Sequence, residues 1–108
     1  MFETTHTPGP FFTTCPHGGT IYVEARLRDS TIQEVAVVGP TETPEQQQAN
    51  AKLFAAAPEL LKSAMEVCEA WGKFIDSFDY APGVGDVAEN IEFQEMMRLR
   101  IAINAATQ

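Results

Sequence analysis

Thr43-Pro44-Glu45-Gln46-Gln47-Gln48-Ala49-Asn50-Ala51-Lys52-Leu53-Phe54-Ala55-Ala56-Ala57-Pro58-Glu59-Leu60-Leu61 is the stretch on which the reading of this 108-residue chain turns. Alanine, leucine, lysine, glutamate and glutamine are strong helix formers, so the run from Pro44 onward is predicted to be helical. Thr43 supplies an N-cap hydroxyl, Pro44 takes the first helical position, where its missing N–H is an orphan anyway, and Gln46 completes a capping box. Pro58 removes a helical hydrogen bond and disfavours helical geometry at Ala57. The expectation is a short helix over 43–57, a break at Ala56–Ala57, and a long helix over 58–78.

Upstream, residues 1–9 are polar, carry Pro8-Gly9, and are expected to fray. Residues 10–40 read as a β-meander of two or three antiparallel strands. Phe11-Phe12-Thr13-Thr14 is a short strand, and Cys15-Pro16-His17-Gly18-Gly19 is turn chemistry. From Thr20 to Arg28 the pattern alternates: Ile21, Val23, Ala25 and Leu27 point one way, Tyr22, Glu24, Arg26 and Arg28 the other. Asp29-Ser30-Thr31 turns the chain, and Ile32 to Val38 returns as a strand closed by Gly39-Pro40. So small a sheet needs a helix on one face. The helix over 58–78 is expected to provide it.

That helix carries Leu61, Ala64, Cys68, Trp71, Ile75 and Phe78 at alternating three- and four-residue steps, widened by the row Leu60, Val67 and Phe74. Pro82-Gly83-Val84-Gly85 is a loop, and Asp86 with Glu89 reads as the capping pair of a C-terminal helix over 86–106. Apolar residues encircle much of that last helix. A second copy is expected to cover part of it, through a helix face of Leu61, Trp71, Phe74, Ile75, Phe78, Met97 and Ile101 in a two-fold homodimer. The fold class is therefore α+β: an N-terminal antiparallel meander, a short helix and a long antiparallel helix pair, all in a single domain over 1–108.

Composition bounds the function. Hydrophobic residues make up 44% of the chain, enough for a core. No apolar run reaches the roughly 20 residues of a membrane span, and the N-terminus lacks a signal-peptide pattern, so the expected location is the cytoplasm. Cys15 and Cys68 are expected to be free thiols there. Seven basic residues, scattered, against fifteen acidic ones give a net charge of −8, which works against direct binding to a nucleic-acid backbone.

The candidate chemistry is sparse. Cys15-Pro16-His17 with His6 falls short of the four paired ligands of a structural zinc site, and no metal or other cofactor is expected. The loop before Asp86 lacks the lysine of a phosphate loop. Glu66 and Glu69 have Lys62 and Lys73 four residues away and read as a solvated helix face. Asp76, Asp79, Asp86, Glu89, Glu92 and Glu95 differ, because no lysine or arginine lies between Asp76 and Glu95. They form a candidate docking surface for a basic partner, the alternative being a solvated acidic end. Tyr22, Arg26 and Arg28 share the polar strand face and are the candidate contact for an anionic ligand. No constellation suggests catalysis, so an enzyme is not expected.

Asn50-Ala51-Lys52-Leu53-Phe54-Ala55-Ala56-Ala57-Pro58-Glu59-Leu60-Leu61 resembles a segment of small bacteriophage and prophage accessory proteins, Asn-Ala-Arg-Leu-Ile-Ala-Ala-Ala-Pro-Glu-Leu-Leu. Lys52 stands for the arginine and Phe54 for the isoleucine. The match covers about a dozen residues and implies phage origin, with no catalytic or ligand-binding residue. The expected function is that of a non-enzymatic phage accessory protein, in an infected or lysogenic bacterial host, that binds and inhibits a host or host-defence protein through its acidic surface. The alternative is a protein that sequesters a nucleotide signal at an oligomer interface.

Overall fold

The computed structural model describes residues 2–16, 18–76 and 91–107. Three strands, β1 (Phe11–Thr14), β2 (Ile21–Arg26) and β3 (Ile32–Val38), precede two helices, α1 (Pro44–Asp76) and α2 (Ile91–Thr107). The strands pair in the order β1-β2-β3, both pairs antiparallel, so the chain is α+β with an N-terminal meander. Each connection uses the backbone its sequence allows. Gly18 and Gly19 both take left-handed geometry, at φ of 65° and 75°, which a residue with a Cβ adopts only at a cost. At the β2–β3 turn the Leu27 N–H donates to the Thr31 carbonyl at 2.8 Å and the Ser30 N–H to the Leu27 carbonyl at 2.9 Å. The Asp29 carboxylate accepts from the Thr31 hydroxyl at 2.6 Å and the Thr31 N–H at 3.1 Å. These bonds, the hydroxyl's first, hold its carboxyl below the ordinary carboxylate range.

Two compact units divide the chain: His6–Leu60, and Leu61–Gln108 with Met1–Thr5. The first has its core on one face of the sheet. Val23 and Ala25 are fully buried, and Val23 clusters with Val38 and Ala51, flanked by Phe11, Ile21, Ala36 and Ala55. Gln47, Ala51 and Ala55 recur every four residues and so line one side of α1. Their small alanine methyls let the helix lie close on the strands. Within this unit the sheet's helical cover comes from residues before Pro58. Alanines carry little weight in a hydrophobic pattern, yet they make the closest contact.

The N-cap is as read from the sequence on one side and shifted on the other. The Gln46 N–H donates to the Thr43 hydroxyl at 3.1 Å, while the Gln46 side chain accepts from the Glu42 N–H at 3.2 Å. The predicted break at Ala56–Ala57 is absent: α1 runs unbroken for 33 residues with Pro58 inside it. A proline in a helix interior costs about 3 kcal/mol, but that cost is local. The alanines before it have the highest helix propensity, and two leucines and a lysine follow closely. Gly9 is the other half of the accommodation. A Cβ on Gly9 would stand 2.9 Å from the Pro58 Cβ and 3.2 Å from its Cγ, so only glycine fits beside that ring. With the Thr7 hydroxyl donating to the Gln33 side-chain oxygen at 3.2 Å, the segment expected to fray is tied at two points.

The second unit holds the remainder of α1 and all of α2. On α1, Cys68 is buried and Leu61, Ala64 and Trp71 are half-buried, in keeping with the stripe read from the sequence. On α2, Met96, Leu99, Ile103 and Thr107 fall on one stripe and are the more buried positions; Ile103 is 2% exposed. The Thr107 hydroxyl donates to the Ile103 carbonyl at 2.9 Å and closes the last turn. The predicted capping pair Asp86 and Glu89 lies outside the described residues.

Candidate functional site

The sheet has a second face, turned away from the Val23–Val38–Ala51 core. Directly paired residues on neighbouring strands project to the same side. The register Phe12↔Glu24↔Glu34 and Thr14↔Tyr22↔Val37 therefore places all six side chains on this outer face, with Arg26↔Ile32 at its end.

Glu34 reaches that face because of an irregularity. Val23 pairs with Ala36, but the next residue, Glu24, pairs with Glu34, leaving Val35 as an extra residue on β3. Strict alternation back from the inward-facing Ala36 and Val38 would turn Glu34 toward the core. The bulge re-aims it outward, opposite Glu24. Thr14, Pro16, Tyr22, Glu24 and Glu34 then line an open depression of about 380 Å³. The Thr14 hydroxyl donates to Glu24 Oε1 at 2.6 Å and fixes that carboxylate. Among the described residues neither glutamate has an ion-pair partner, and Glu34 has no hydrogen bond. A second hollow, of about 300 Å³, lies between the end of β1 and the first turns of α1. Thr13, Thr14, Cys15, Ile21, Gln48, Ala51 and Lys52 line it, and among these described residues Lys52 alone is charged.

The anionic-ligand residues named from the sequence do not meet in one place. Tyr22 lines the acidic depression, whereas Arg26 is exposed four residues along β2, about 13 Å away at 3.3 Å per residue. Arg28 is exposed in the turn beyond the strand. Of the acidic docking residues, Glu95 is exposed and pairs with Arg98 at 3.2 Å. For Asp76 and Glu92 the backbone alone is described, in α1 and α2, and Asp79, Asp86 and Glu89 lie outside the described residues. Along the proposed dimer face Leu61 and Trp71 are half-buried, and Met97 and Ile101 are exposed, Ile101 by 65%. Only the backbone of Phe74 and Ile75 is described, and Phe78 lies outside the described residues.

Two residues of consequence escaped the sequence reading. Glu34 was hidden by the bulge, although the run Val35-Ala36-Val37-Val38, which breaks two-residue alternation, is its trace in the sequence. Gln47 had looked like one more helix former. Its side-chain amide donates to the carbonyls of Val38 at 2.9 Å and Gly19 at 3.0 Å, pinning α1 to the end of β3 and to the glycine turn.

Cys15 and Cys68 are both free thiols. The described residues contain no group of three or more histidine, cysteine or carboxylate side chains placed to hold a metal ion. No helix among them is long and apolar enough to cross a membrane. Comparison with curated proteins and with solved structures gives no match. A protein family does match, along the whole of residues 1–108, in line with the expected phage origin. The chain belongs to the family described as Salmonella phage P22 protein Y8K6.

Proposed function

We propose that this phage accessory protein is non-enzymatic and acts by binding, and thereby inhibiting, a host or host-defence protein with a basic surface. The observation that carries this reading is the excess of carboxylates over basic groups. The chain has a net charge of −8, and among the described residues a single ion pair, Arg98 with Glu95, joins charged side chains. Uncompensated surface charge of one sign steers association with a partner of the other sign. The carboxylates of Asp76, Asp79, Asp86, Glu89, Glu92 and Glu95 are the proposed contact.

Replacing Asp79, Asp86, Glu89 and Glu92 together by lysine is expected to abolish capture of the partner from host lysate, read by mass spectrometry, while leaving the circular dichroism spectrum unchanged. Undiminished capture would remove these carboxylates from the contact. The nucleotide-sequestering alternative has less support, because Tyr22 shares its depression with two carboxylates and with neither arginine.

The helical unit is proposed to pair with a second copy through Val67, Met97 and Ile101, its exposed large apolar side chains among the described residues. Light scattering should then give twice the 11.9 kDa chain mass at high micromolar concentration, and Ile101→Glu should lower it toward one chain. A constant single-chain mass for the parent protein would end the dimer proposal.

A further inference from the structure

We propose that the depression on the outer face of the sheet is a receptor for the guanidinium group of an arginine side chain presented by a protein partner. The pocket is lined by Thr14, Pro16, Tyr22, Glu24 and Glu34 and is separate in sequence from the carboxylates between Asp76 and Glu95.

Its electrostatics are the first argument. Glu24 and Glu34 are direct cross-strand partners, which places their Cβ atoms about 4.5–5.5 Å apart. Like charges in that relation destabilise a sheet. Here the chain carries the repulsion, and carries it through a bulge at Val35 without which Glu34 would face the core. Arg26, one step beyond Glu24 on the same face, opposes Ile32 and pairs with neither carboxylate. Among the described residues, the pocket lining therefore presents two negative charges and no cation.

Shape and donor set decide which cation fits. A calcium ion takes six to eight oxygen ligands, and a magnesium ion demands a near-ideal octahedron. Two carboxylates on a wide, open floor of about 380 Å³ suit neither. A guanidinium is planar, presents five donors in a fork, and stacks on aromatic rings. The half-buried Tyr22 ring supplies the stacking wall and Pro16 a second apolar wall. The Thr14 hydroxyl holds Glu24 Oε1, leaving Oε2 and both oxygens of Glu34 to accept from the fork. An ammonium would satisfy the charge but would forgo the paired geometry and part of the stacking.

The identity of the occupant as a protein side chain rests on the reading of this chain as a binder of a basic protein; the preference for a guanidinium rests on the pocket alone. The test uses the full chain and short capped tripeptides, Gly-Arg-Gly, Gly-Lys-Gly and Gly-citrulline-Gly, with backbone amide shifts as readout. The arginine peptide is expected to give saturable shifts at Tyr22, Glu24 and Glu34, the lysine peptide weaker ones, and the uncharged citrulline peptide none. Glu34→Gln is expected to weaken arginine-peptide binding by about tenfold or more. The same substitution should raise the melting temperature of the free protein, because it relieves the cross-strand repulsion. Tyr22→Leu should narrow the preference for arginine over lysine.

Equal shifts from the citrulline peptide, binding unchanged by Glu34→Gln, or saturation by calcium chloride without response to the arginine peptide would each overturn the assignment. The fourfold lysine variant at Asp79, Asp86, Glu89 and Glu92 should bind the arginine peptide as the parent does. Loss of partner capture by that variant and loss of peptide binding by Glu34→Gln are thus separate results.

Discussion

Replacing Ile103 by alanine is expected to lower the stability of the protein by about 2–5 kcal/mol, the range for deleting a large buried aliphatic side chain. Ile103 and Val23 are the largest side chains fully buried among the described residues, and Ile103 is the buried anchor of α2. The loss has two sources, the apolar surface no longer withheld from water and the cavity that partial relaxation leaves. Set against the 5–15 kcal/mol that typically separates folded from unfolded chains, either end of that range is large. Urea titration followed by circular dichroism reads it as a fall in midpoint at constant slope. Ile101 is the internal control. It lies on the same helix but is 65% exposed, so Ile101→Ala should change the midpoint little in the monomer. A loss below about 1 kcal/mol for Ile103→Ala would mean that α2 does not contribute a core, contrary to the usual cost of such truncations.

Gln47→Ala is expected to cost about 2–4 kcal/mol, combining the lost amide bonds with the desolvation of the carbonyls left behind, each worth about 1–3 kcal/mol when buried. The residue is 8% exposed and its amide donates to Val38 and Gly19, so its removal takes a donor from one buried carbonyl and one partly buried one. Gln47→Glu is the sharper experiment. A carboxylate has the same shape but only acceptors, and it would face two carbonyl oxygens. Its folded-state pKa would be raised, so the folded form would bind a proton more readily than the unfolded form. Stability should then fall as pH rises from the unfolded pKa of an ordinary glutamate through the higher folded-state value, and be partly restored on acidification. Unfolding measured from pH 4 to pH 8 distinguishes this from a simple packing defect. Equal stability of Gln47→Glu and the parent at pH 7 would show that the amide does not hold the helix to the sheet.

Much of the fold is legible in residues 11–46. The alternation of Ile21, Val23 and Ala25 against Tyr22, Glu24 and Arg26 gives β2 and its two faces, and the Asp29-Ser30-Thr31 turn and the strand Ile32–Val38 fall where the pattern places them. Local signals suffice there because turn chemistry and two-residue periodicity act over a few residues. The break assigned to Pro58 fails for the complementary reason. The proline's cost is a local quantity, while its accommodation beside Gly9, 49 positions earlier, is not. The alanine contact of Ala51 and Ala55 with the sheet was likewise invisible to a hydrophobic pattern, which weighs side-chain size where the packing used smallness.

For the candidate site, the sequence placed Tyr22 and Glu24 on the polar side of β2 but misjudged their company. It grouped Tyr22 with Arg26 and Arg28, since residues on one strand face look adjacent in a list, although each two-residue step carries the chain about 6.6 Å further. The neighbour that matters, Glu34, comes from across the sheet. Its position depends on pairing register, and register depends on a bulge that no single strand's pattern specifies.

By itself, the sequence determined the α+β order of elements, the Thr43 cap, the inward face of β2 and the acidic balance. Each follows from composition, or from interactions between residues near one another along the chain. Only the tertiary structure decided that α1 passes through Pro58, that Gln47, Ala51 and Ala55 are its contacts with the sheet, and that Glu24 and Glu34 stand side by side. Those outcomes depend on close approaches between residues up to 49 positions apart, and their energies exist only once the chain has folded.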